Sequence, residues 1–547
     1  MTINMHTQLI GVYNTLHAIK YKEISILILL WGLLYIPYII HGGMLGDDAG
    51  ILIIPNSNQN LGYWHYQWSL SSQLTMTARP ISAILHGLCN WFFGLHFWAY
   101  HFVNLTLFLS SILLFYLSIK RIFSAEIALL ASLLALVYPC SSSTVFSSIM
   151  MNSNLAALFW TGALYLSTKK INFKYIIITI CLLFSCLSYE SFIPLFILNI
   201  VSSVFFYKYR LSFKVFLIEA LPAIFAMLIF GVYKFYIESI LFNTHYSRIN
   251  IFSFYHSLLK LFISLNEGVK IALFDSIEIS NHALSNIELL SIPYLFLVTV
   301  VLSLISYFLY KIITKFCINN SYGDYLFFLY KKQITIIDKI NFFLLPVILF
   351  IACHLIYVFS YYYPVSAGFN NRTLGAIRFS TSLAAACIFI TLFNSLNQVT
   401  DRKLFSMIFV CFFAFFSMSV IGQREAWIAA CKFNDNNISK INAAIYEQGL
   451  QNNKDITLIA MLPRNFPEQV NNEPIFSESW DLTNSLSISN PSINFTANVN
   501  TAETTVDSAK VILHSSWQAI YPFWLYHFKT EKLYRITSED SWRNITR

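Results

Sequence analysis

Long apolar runs alternate along this chain with short polar stretches that carry most of its basic residues. A helix needs about 20 apolar residues to cross the hydrocarbon core of a bilayer, so these runs predict transmembrane helices. The pattern therefore predicts an all-α polytopic membrane protein with about 11 spans. They fall at 24–41, 97–119, 125–139, 149–168, 174–189, 191–207, 215–236, 291–311, 342–362, 379–396 and 404–421.

The basic clusters predict the orientation of these spans. Lysine and arginine are concentrated at every second junction, and such clusters mark the cytoplasmic loops of membrane proteins. The N-terminus is then expected in the cytoplasm and the C-terminus on the periplasmic or extracellular side. The inner clusters are Lys20/Lys22, Lys120/Arg121, Lys169/Lys170/Lys174, Lys208/Arg210/Lys214, Lys311/Lys315/Lys331/Lys332/Lys339 and Arg402/Lys403.

The polar regions outside the spans predict two domains. Residues 1–421 form a transmembrane module, whose outer loops at 42–96 and 237–290 mix apolar and polar residues and are expected to lie along the membrane interface. Residues 422–547 are richer in Asn, Ser, Thr and Glu. There a helical pattern is followed by strand-like runs such as DITLIAML and AKVILHSS, which predicts a small extracytoplasmic α/β domain.

Composition agrees with a membrane protein and narrows its chemistry. Of the 547 residues, 56% are hydrophobic and only 11% are charged, whereas soluble proteins carry about 25% charged residues. The net charge of +8 belongs to the loops between spans and does not indicate a nucleic-acid partner. The nine cysteines are scattered, which predicts neither a disulfide framework nor a zinc site, and no motif for a nucleotide cofactor is found.

The most informative polar feature is the acidic doublet Asp47–Asp48 in HGGMLGDDAG, just after the first span. Two adjacent carboxylates at a membrane surface need water, a cation or a proton to reduce their repulsion. One of the two is therefore expected to have a raised proton affinity, which suits a general base. A divalent cation such as Mg²⁺ or Mn²⁺ bound by both is an alternative, and so is a helix cap or a solvated loop.

Three further candidates for a substrate pocket lie near the doublet or between later spans. Trp64 and His65 belong to an aromatic stretch of the first outer loop that suits a position at headgroup level. Glu190 stands in LSYESFIPL between the fifth and sixth spans, where an acid needs an arginine, a metal or a sugar hydroxyl as partner. The alternative for Glu190 is a helix cap.

Three arginines on the outer side are candidates for binding the phosphate of a donor. Arg79 precedes a proline at the predicted start of a helix, and Arg372 and Arg378 lie in FNNRTLGAIRF, where positive charge is disfavoured. A guanidinium group can bind a phosphate by two parallel hydrogen bonds. The alternative for all three is an anchor to lipid headgroups at the interface.

Several of these stretches resemble the GT-C superfamily of membrane glycosyltransferases. The resemblance is to the O-antigen-modifying glucosyltransferases and, more loosely, to the aminoarabinose transferases and protein O-mannosyltransferases. It rests on the acidic doublet, on the Arg-Pro pair about thirty residues later, and on FGLHFWAYHFVNLTL, YPCSSSTVFSSIMMNSN and LSYESFIPL. Together these cover roughly the first 200 residues and the overall topology.

The resemblance implies a catalytic carboxylate in the first outer loop and a polyprenyl-phosphate-linked sugar as the donor. Asp47 or Asp48 would act as the general base on the acceptor hydroxyl, or would bind a divalent cation that screens the donor phosphate. The family pattern does not assign these two roles to one residue or the other.

These expectations combine into one predicted function and two rivals. The protein is predicted to be a hexosyltransferase-type enzyme of a bacterial inner membrane, embedded in lipid. It would move a sugar, with inversion, from undecaprenyl phosphate to a cell-surface glycan such as the O-antigen of lipopolysaccharide, or to a lipid-linked acceptor, on the outer face. The rivals are an O-antigen polymerase or ligase, which relies chiefly on outer-loop arginines, and a lipid-linked-sugar flippase or other transporter, which places charges at mid-span.

Overall fold

The structure, a computed structural model, is mostly helical and has a small β-sheet region near the C-terminus. It describes all residues except 1, 46–47, 49, 51–61, 73, 207–212, 243–253, 320–335, 359–361, 397, 463–475, 477–478, 500–503, 507–508, 514–516 and 547. Asp47 lies outside the described residues, as do Lys208, Arg210, Lys331 and Lys332 of the predicted inner clusters.

Helices correspond to all the predicted spans. In chain order they are α1 (Thr2–His41), α2 (Tyr63–Ser71), α3 (Leu74–Thr77), α4 (Pro80–Phe93), α5 (Phe97–Ile122), α6 (Ala125–Leu136), α7 (Ser143–Phe146), α8 (Met151–Ser167), α9 (Lys174–Ser188), α10 (Phe196–Phe206), α11 (Phe213–Val232), α12 (Glu238–Phe242), α13 (Phe254–Lys270), α14 (Ser276–Leu284), α15 (Ile292–Asn319), α16 (Ile336–Val358), α17 (Gly375–Ser395) and α18 (Val399–Glu447). Within the described ranges, six helices are long and apolar enough to cross a membrane, namely α1, α5, α11, α15, α17 and α18. The chain is therefore a multi-pass membrane protein, and the count of 11 spans is not confirmed.

A polar stretch that the structure buries separates helices α6 and α8. Proline has no N–H for a helical hydrogen bond, and α6 ends at Leu136, shortly before Pro139. Residues 139–150 then form only short turns, and nearly all of their side chains are buried. Since backbone groups inside a membrane protein must find partners within the protein, this broken segment depends on its neighbours for hydrogen bonds.

Helices α1 and α5 supply those hydrogen bonds. Tyr35 and Tyr38 of α1 donate their hydroxyl groups, both at 2.6 Å, to the backbone oxygens of Leu136 before the break and of Phe146 within it. Asn104 of α5 donates its Nδ2 to two further carbonyl oxygens of the broken segment, at 2.9 and 3.2 Å. The break is thus held by hydrogen bonds from two neighbouring helices.

Helix α18 connects the membrane part to the C-terminal domain. It is continuous over 49 residues, so the boundary predicted after residue 421 falls inside a helix. The domain adds α19 (Ser479–Ser489) and α20 (Glu539–Thr546) to strands β1 (Asp455–Met461), β2 (Asn494–Val499), β3 (Thr505–Val506), β4 (Lys510–Leu513), β5 (Trp517–Ile520), β6 (Phe523–His527) and β7 (Lys532–Ile536). The small C-terminal α/β region is therefore confirmed.

The strands of this domain form two sheets. In the larger sheet the order is β2-β1-β6-β7, with β1 parallel to β2 and to β6 and with β7 antiparallel to β6. The smaller sheet, β3-β4-β5, is antiparallel. Helix α19 makes the crossover between the parallel strands β1 and β2, as such a connection requires.

The C-terminal domain contacts the first outer loop through α19. Ile488 of this helix packs with Cys89 of α4, Tyr100 of α5 and Met151 of α8 in one small apolar cluster. The domain therefore covers part of the loop in which the acidic doublet lies.

The close approach of α14 to α18 can be tested at Gly422. A Cβ atom at this position would lie 1.9 Å from the backbone oxygen of Ala283, and overpacking of this kind costs about 1–3 kcal/mol. We therefore expect Gly422→Ala to lower the apparent Tm in detergent. Gly162→Ala in α8 is the matched control, because no atom lies within 4 Å of a Cβ there. Equal Tm values for the two variants would contradict the contact between α14 and α18.

Candidate functional site

Asp48 is buried, with 1% of its surface exposed, and is held by three donors. Its Oδ1 accepts hydrogen bonds from Ser147 Oγ at 2.9 Å and from the backbone N–H of Ile149 at 2.8 Å. Its Oδ2 accepts from the backbone N–H of Leu45 at 3.3 Å. Two of these donors belong to the broken segment between α6 and α8. Since all three groups donate, they orient the carboxylate in its ionised form.

Burial is the largest influence on the acidity of Asp48. Removal from water disfavours the charged form and raises the pKa from 3.8 to about 6, while the hydrogen bonds from Ile149, Ser147 and Leu45 limit the rise. A carboxyl group with this pKa is ionised at neutral pH and is still basic enough to accept a proton from a hydroxyl group in a transition state. The sequence predicts a raised proton affinity for one acid of the doublet, and Asp48 has this property.

Arg79 and Glu190, predicted separately from the sequence, form an ion pair. The Nη2 of Arg79 lies 3.2 Å from Glu190 Oε1, and its Nε donates to Oε2 at 3.4 Å. The guanidinium carbon also lies 4.4 Å from the ring centre of Tyr189. Arg79 directly precedes α4, and Glu190 begins the 3₁₀ turn Glu190–Leu195 that follows α9. The two segments are thus joined by an ion pair.

A second ion pair adjoins the first. Lys234 Nζ donates to Glu238 Oε2 at 3.0 Å, and Thr77 Oγ1 donates to Glu238 Oε1 at 3.1 Å. Burial alone would raise the pKa of Glu190, but the charge of Arg79, its hydrogen bonds and the charge of Lys234 together hold that pKa well below its usual range. Two cations and two anions are therefore collected in one place.

Sequence reasoning misses Lys234 and Glu238. It assigns the end of the seventh apolar run to a span and the following residues to an interfacial loop, so it gives neither residue a role. The available signal is the Lys-to-Glu spacing of four residues at the outer end of an apolar helix.

Ile149 connects Asp48 to the helix that follows Arg79. Its backbone N–H binds Asp48, and its side chain packs against a small cluster that includes Met76 and Ala83. These residues flank Arg79, whose backbone N–H donates to the oxygen of Met76 at 2.9 Å. Ile149 thus contacts Asp48 through its backbone and the residues that flank Arg79 through its side chain.

His86 of α4 lies next to the same peptide group. It is buried, and burial lowers its pKa to about 4 against a smaller opposite effect of the Ile149 backbone. The imidazole is therefore neutral at physiological pH. Sequence reasoning finds this histidine only as one of several near the first outer loop.

Trp64 and His65 lie on the outside of α2. Trp64 is 80% exposed and has an edge-on contact with Tyr63 of the same helix, and His65 is also exposed. Among the described contacts none joins them to Asp48 or Arg79. Their predicted place in the substrate pocket stays a prediction.

The three arginines that are predicted to bind a phosphate differ in their described surroundings, and that role stays a prediction for each of them. Arg378, in the first turn of α17, is buried; its Nε donates to Ser141 Oγ at 2.7 Å and its Nη2 to Thr144 Oγ1 at 2.7 Å. It therefore binds the broken segment between α6 and α8. Arg372 is half-buried in the 3₁₀ turn Phe369–Leu374. The described contacts bring neither residue to Arg79.

A metal site is not formed by the residues that the structure describes. They include no group of three His, Cys, Asp or Glu side chains that could hold an ion. Asp48 by itself supplies one carboxylate, which is fewer oxygen ligands than a divalent cation needs. The divalent cation at Asp47 and Asp48 stays a prediction, and no chemical step is derived from it.

The raised pKa of Asp48 predicts how stability changes with pH. Because the folded protein binds this proton more tightly than the unfolded chain, acidification through pH 6 stabilises the fold. With a pKa of about 6 against 3.8, the wild type should gain about 1.4 kcal/mol between pH 7.5 and pH 5 that Asp48→Asn does not gain. We expect the apparent Tm of the wild type to rise relative to that of the variant over this interval. Parallel Tm profiles would contradict the burial of an ionisable Asp48.

Comparison with known proteins gives matches to solved structures only. No family model and no curated protein matches the chain. ArnT from Cupriavidus metallidurans bound to undecaprenyl phosphate is 11% identical, with a TM-score of 0.41 over 87% of this chain and 88% of that one. The Archaeoglobus fulgidus oligosaccharyltransferase in the apo form is 11% identical, with a TM-score of 0.41 over 88% of this chain and 65% of that one. Both are proteins of the kind that the sequence resemblance names, but a similarity at this level says nothing about the chemistry of this chain.

Proposed function

We propose that the protein is a GT-C-type membrane glycosyltransferase. It takes a hexose from an undecaprenyl-phosphate donor and transfers it to a cell-surface glycan, such as the O-antigen of lipopolysaccharide, or to a lipid-linked acceptor. The reaction takes place at the outer face of a bacterial inner membrane. The donor reaches the site from the lipid, and the C-terminal domain covers the acceptor side.

The observation that supports this proposal most is the state of Asp48. A buried carboxylate is costly unless donors satisfy it, and here three donors fix it in one orientation. Its pKa of about 6 leaves it ionised but basic at neutral pH.

The chemistry follows from the positions of a base and a cation. The acceptor hydroxyl attacks the anomeric carbon, and its proton passes to the carboxylate of Asp48. The bond between the anomeric carbon and the phosphate oxygen breaks, and its electron pair leaves with the phosphate. Arg79 stabilises the negative charge that develops on that oxygen. Because the phosphate carrier is already a good leaving group, one direct displacement suffices, and the anomeric configuration is inverted.

The function and the base can be tested in cells by glycan mass spectrometry. Deletion of the gene should remove one hexose mass from a surface glycan, and the wild-type gene should restore it. We expect Asp48→Asn to lower transfer about 10²–10⁴-fold, because an amide cannot accept the proton. Asp47→Asn, tested in parallel, decides whether the neighbouring acid shares this role. All variants must be present in the membrane at wild-type levels.

The matched control is Asp401→Asn in the first turn of α18, an exposed aspartate away from the site. It should restore the glycan fully. Unchanged glycans in the deletion strain would refute the glycosyltransferase. A glycan that changes only in chain length would favour the polymerase. A glycan lost in the deletion but restored by Asp48→Asn would show an enzyme whose base lies elsewhere.

The pH dependence of transfer is a separate prediction. If Asp48 is the base, the rate should be constant above pH 7 and should fall about tenfold for each pH unit below about 6, as the carboxylate becomes protonated. The rate is measured as loss of the undecaprenyl-phosphate-linked hexose in membranes that overproduce the protein. A rate that does not change between pH 7.5 and pH 5 would exclude Asp48 as the base.

A further inference from the structure

The second ion pair lies at a helix end that changes its geometry. Helix α11 is followed by the π-helical turn Tyr233–Ile237, which contains Lys234, and then by α12, which begins at Glu238. π-Helical turns are rare and occur frequently at functional sites. The hydroxyl group of Tyr233 donates to the backbone oxygen of Thr77 at 2.6 Å, so this turn is tied to the segment before Arg79.

One side of this turn is open and apolar. Phe235 is 65% exposed and Tyr236 is 66% exposed, and α11 before them presents a largely apolar exposed surface. The side chain of Lys234 is only 13% exposed and is directed to Glu238. In a membrane protein an open apolar helix surface faces lipid, so the lysine lies between a lipid-facing surface and the Arg79–Glu190 pair.

The two carboxylates differ in how firmly they are held. Glu190 is 30% exposed at its side chain, so water can accept its carboxylate if another anion takes its place on Arg79. Glu238 is only 3% exposed and binds both Lys234 and Thr77. Glu238 therefore orients the lysine, whereas Glu190 can be displaced from the arginine.

Two partly buried ion pairs side by side contribute little net stability to a fold. Removing a charged group from water costs several kcal/mol, and the attraction within an ion pair often does no more than offset this. Arg79 and Glu238 are buried, and Lys234 and Glu190 are partly buried. Stability alone therefore does not explain why Lys234 is present. Because the neighbouring Arg79 has a partner, Glu190, that can be displaced, the two cations could together bind an external anion.

We propose that Lys234 is a second phosphate-binding residue beside Arg79, and that its ligand is a phosphate group carried on a lipid that arrives along the open surface of α11. This inference rests on the proposed function, whose donor has such a phosphate. On binding, the phosphate oxygens replace Glu190 on Arg79 and accept hydrogen bonds from the ammonium group of Lys234, which Glu238 and Thr77 keep in position. Two cations then bind the group that leaves with the negative charge.

The test measures binding of undecaprenyl phosphate to the full-length protein in phosphatidylcholine nanodiscs. Undecaprenol and inorganic phosphate serve as separate probes of the lipid and of the charge. Lys234→Gln alone would leave Glu238 buried without its partner and is expected to misfold. The double variant Lys234→Gln/Glu238→Gln removes both charges, and we expect it to weaken undecaprenyl phosphate binding about tenfold or more. Lys234→Arg should retain binding, since the cation is kept.

Lys270→Gln is the matched control. Lys270 directly precedes another π-helical turn, Ile271–Asp275, and lies 3.9 Å from a carboxylate, but its side chain is 58% exposed and outside the site. Its replacement should leave binding unchanged.

The outcomes separate this inference from the proposed function. Wild-type protein that does not bind undecaprenyl phosphate would overturn both. Wild-type binding that the double variant retains would overturn the role of Lys234 and leave the glycosyltransferase intact. Displacement by an equal concentration of inorganic phosphate would show that the site binds free phosphate and would overturn the lipid-borne ligand.

Discussion

The hydrogen bond from the backbone N–H of Ile149 to Asp48 joins two features that would each be costly alone. The segment between α6 and α8 leaves helical geometry, so its N–H groups need acceptors in a region from which water is largely removed. Asp48 is a buried carboxylate that needs donors. The N–H of the broken segment thus finds an acceptor and the carboxylate finds a donor, and Ser147 and Leu45 donate two further hydrogen bonds to Asp48. The break and the acid are therefore one structural unit.

The need of buried polar groups for partners also explains how the charged residues of this region are paired. Arg79 with Glu190, and Lys234 with Glu238, form two neutral pairs, so no net charge is buried among these four residues. Arg378 has no such acid among its described partners and is satisfied by hydroxyl groups of the broken segment instead. A paired cation can exchange its partner for a phosphate at modest cost, whereas a cation bound by several fixed hydroxyl groups stabilises the fold.

The position of the site between two surfaces fits transfer from a lipid carrier. On one side α11 presents apolar side chains that are open to lipid, and on the other side Ile488 of the C-terminal domain packs on the first outer loop. A donor with a long apolar chain and an acceptor in water would approach from these two directions.

Local patterns in the sequence determine the helices, the α/β character of the tail and the residue types that can do chemistry, because hydropathy and periodicity are properties of neighbouring residues. They identify Asp48, Arg79 and Glu190 as candidates, each from its own short context. Only the tertiary structure decides that Arg79 meets Glu190, from which it is separated by 111 positions, and that Arg378 turns to serine and threonine hydroxyls. Such pairings depend on how helices pack, and a guanidinium group in the same local sequence can bind a carboxylate, a hydroxyl or a phosphate. The sequence shows that Lys234 lies four residues before Glu238. Only the tertiary structure shows that Lys234 also lies near Glu190, the partner of Arg79.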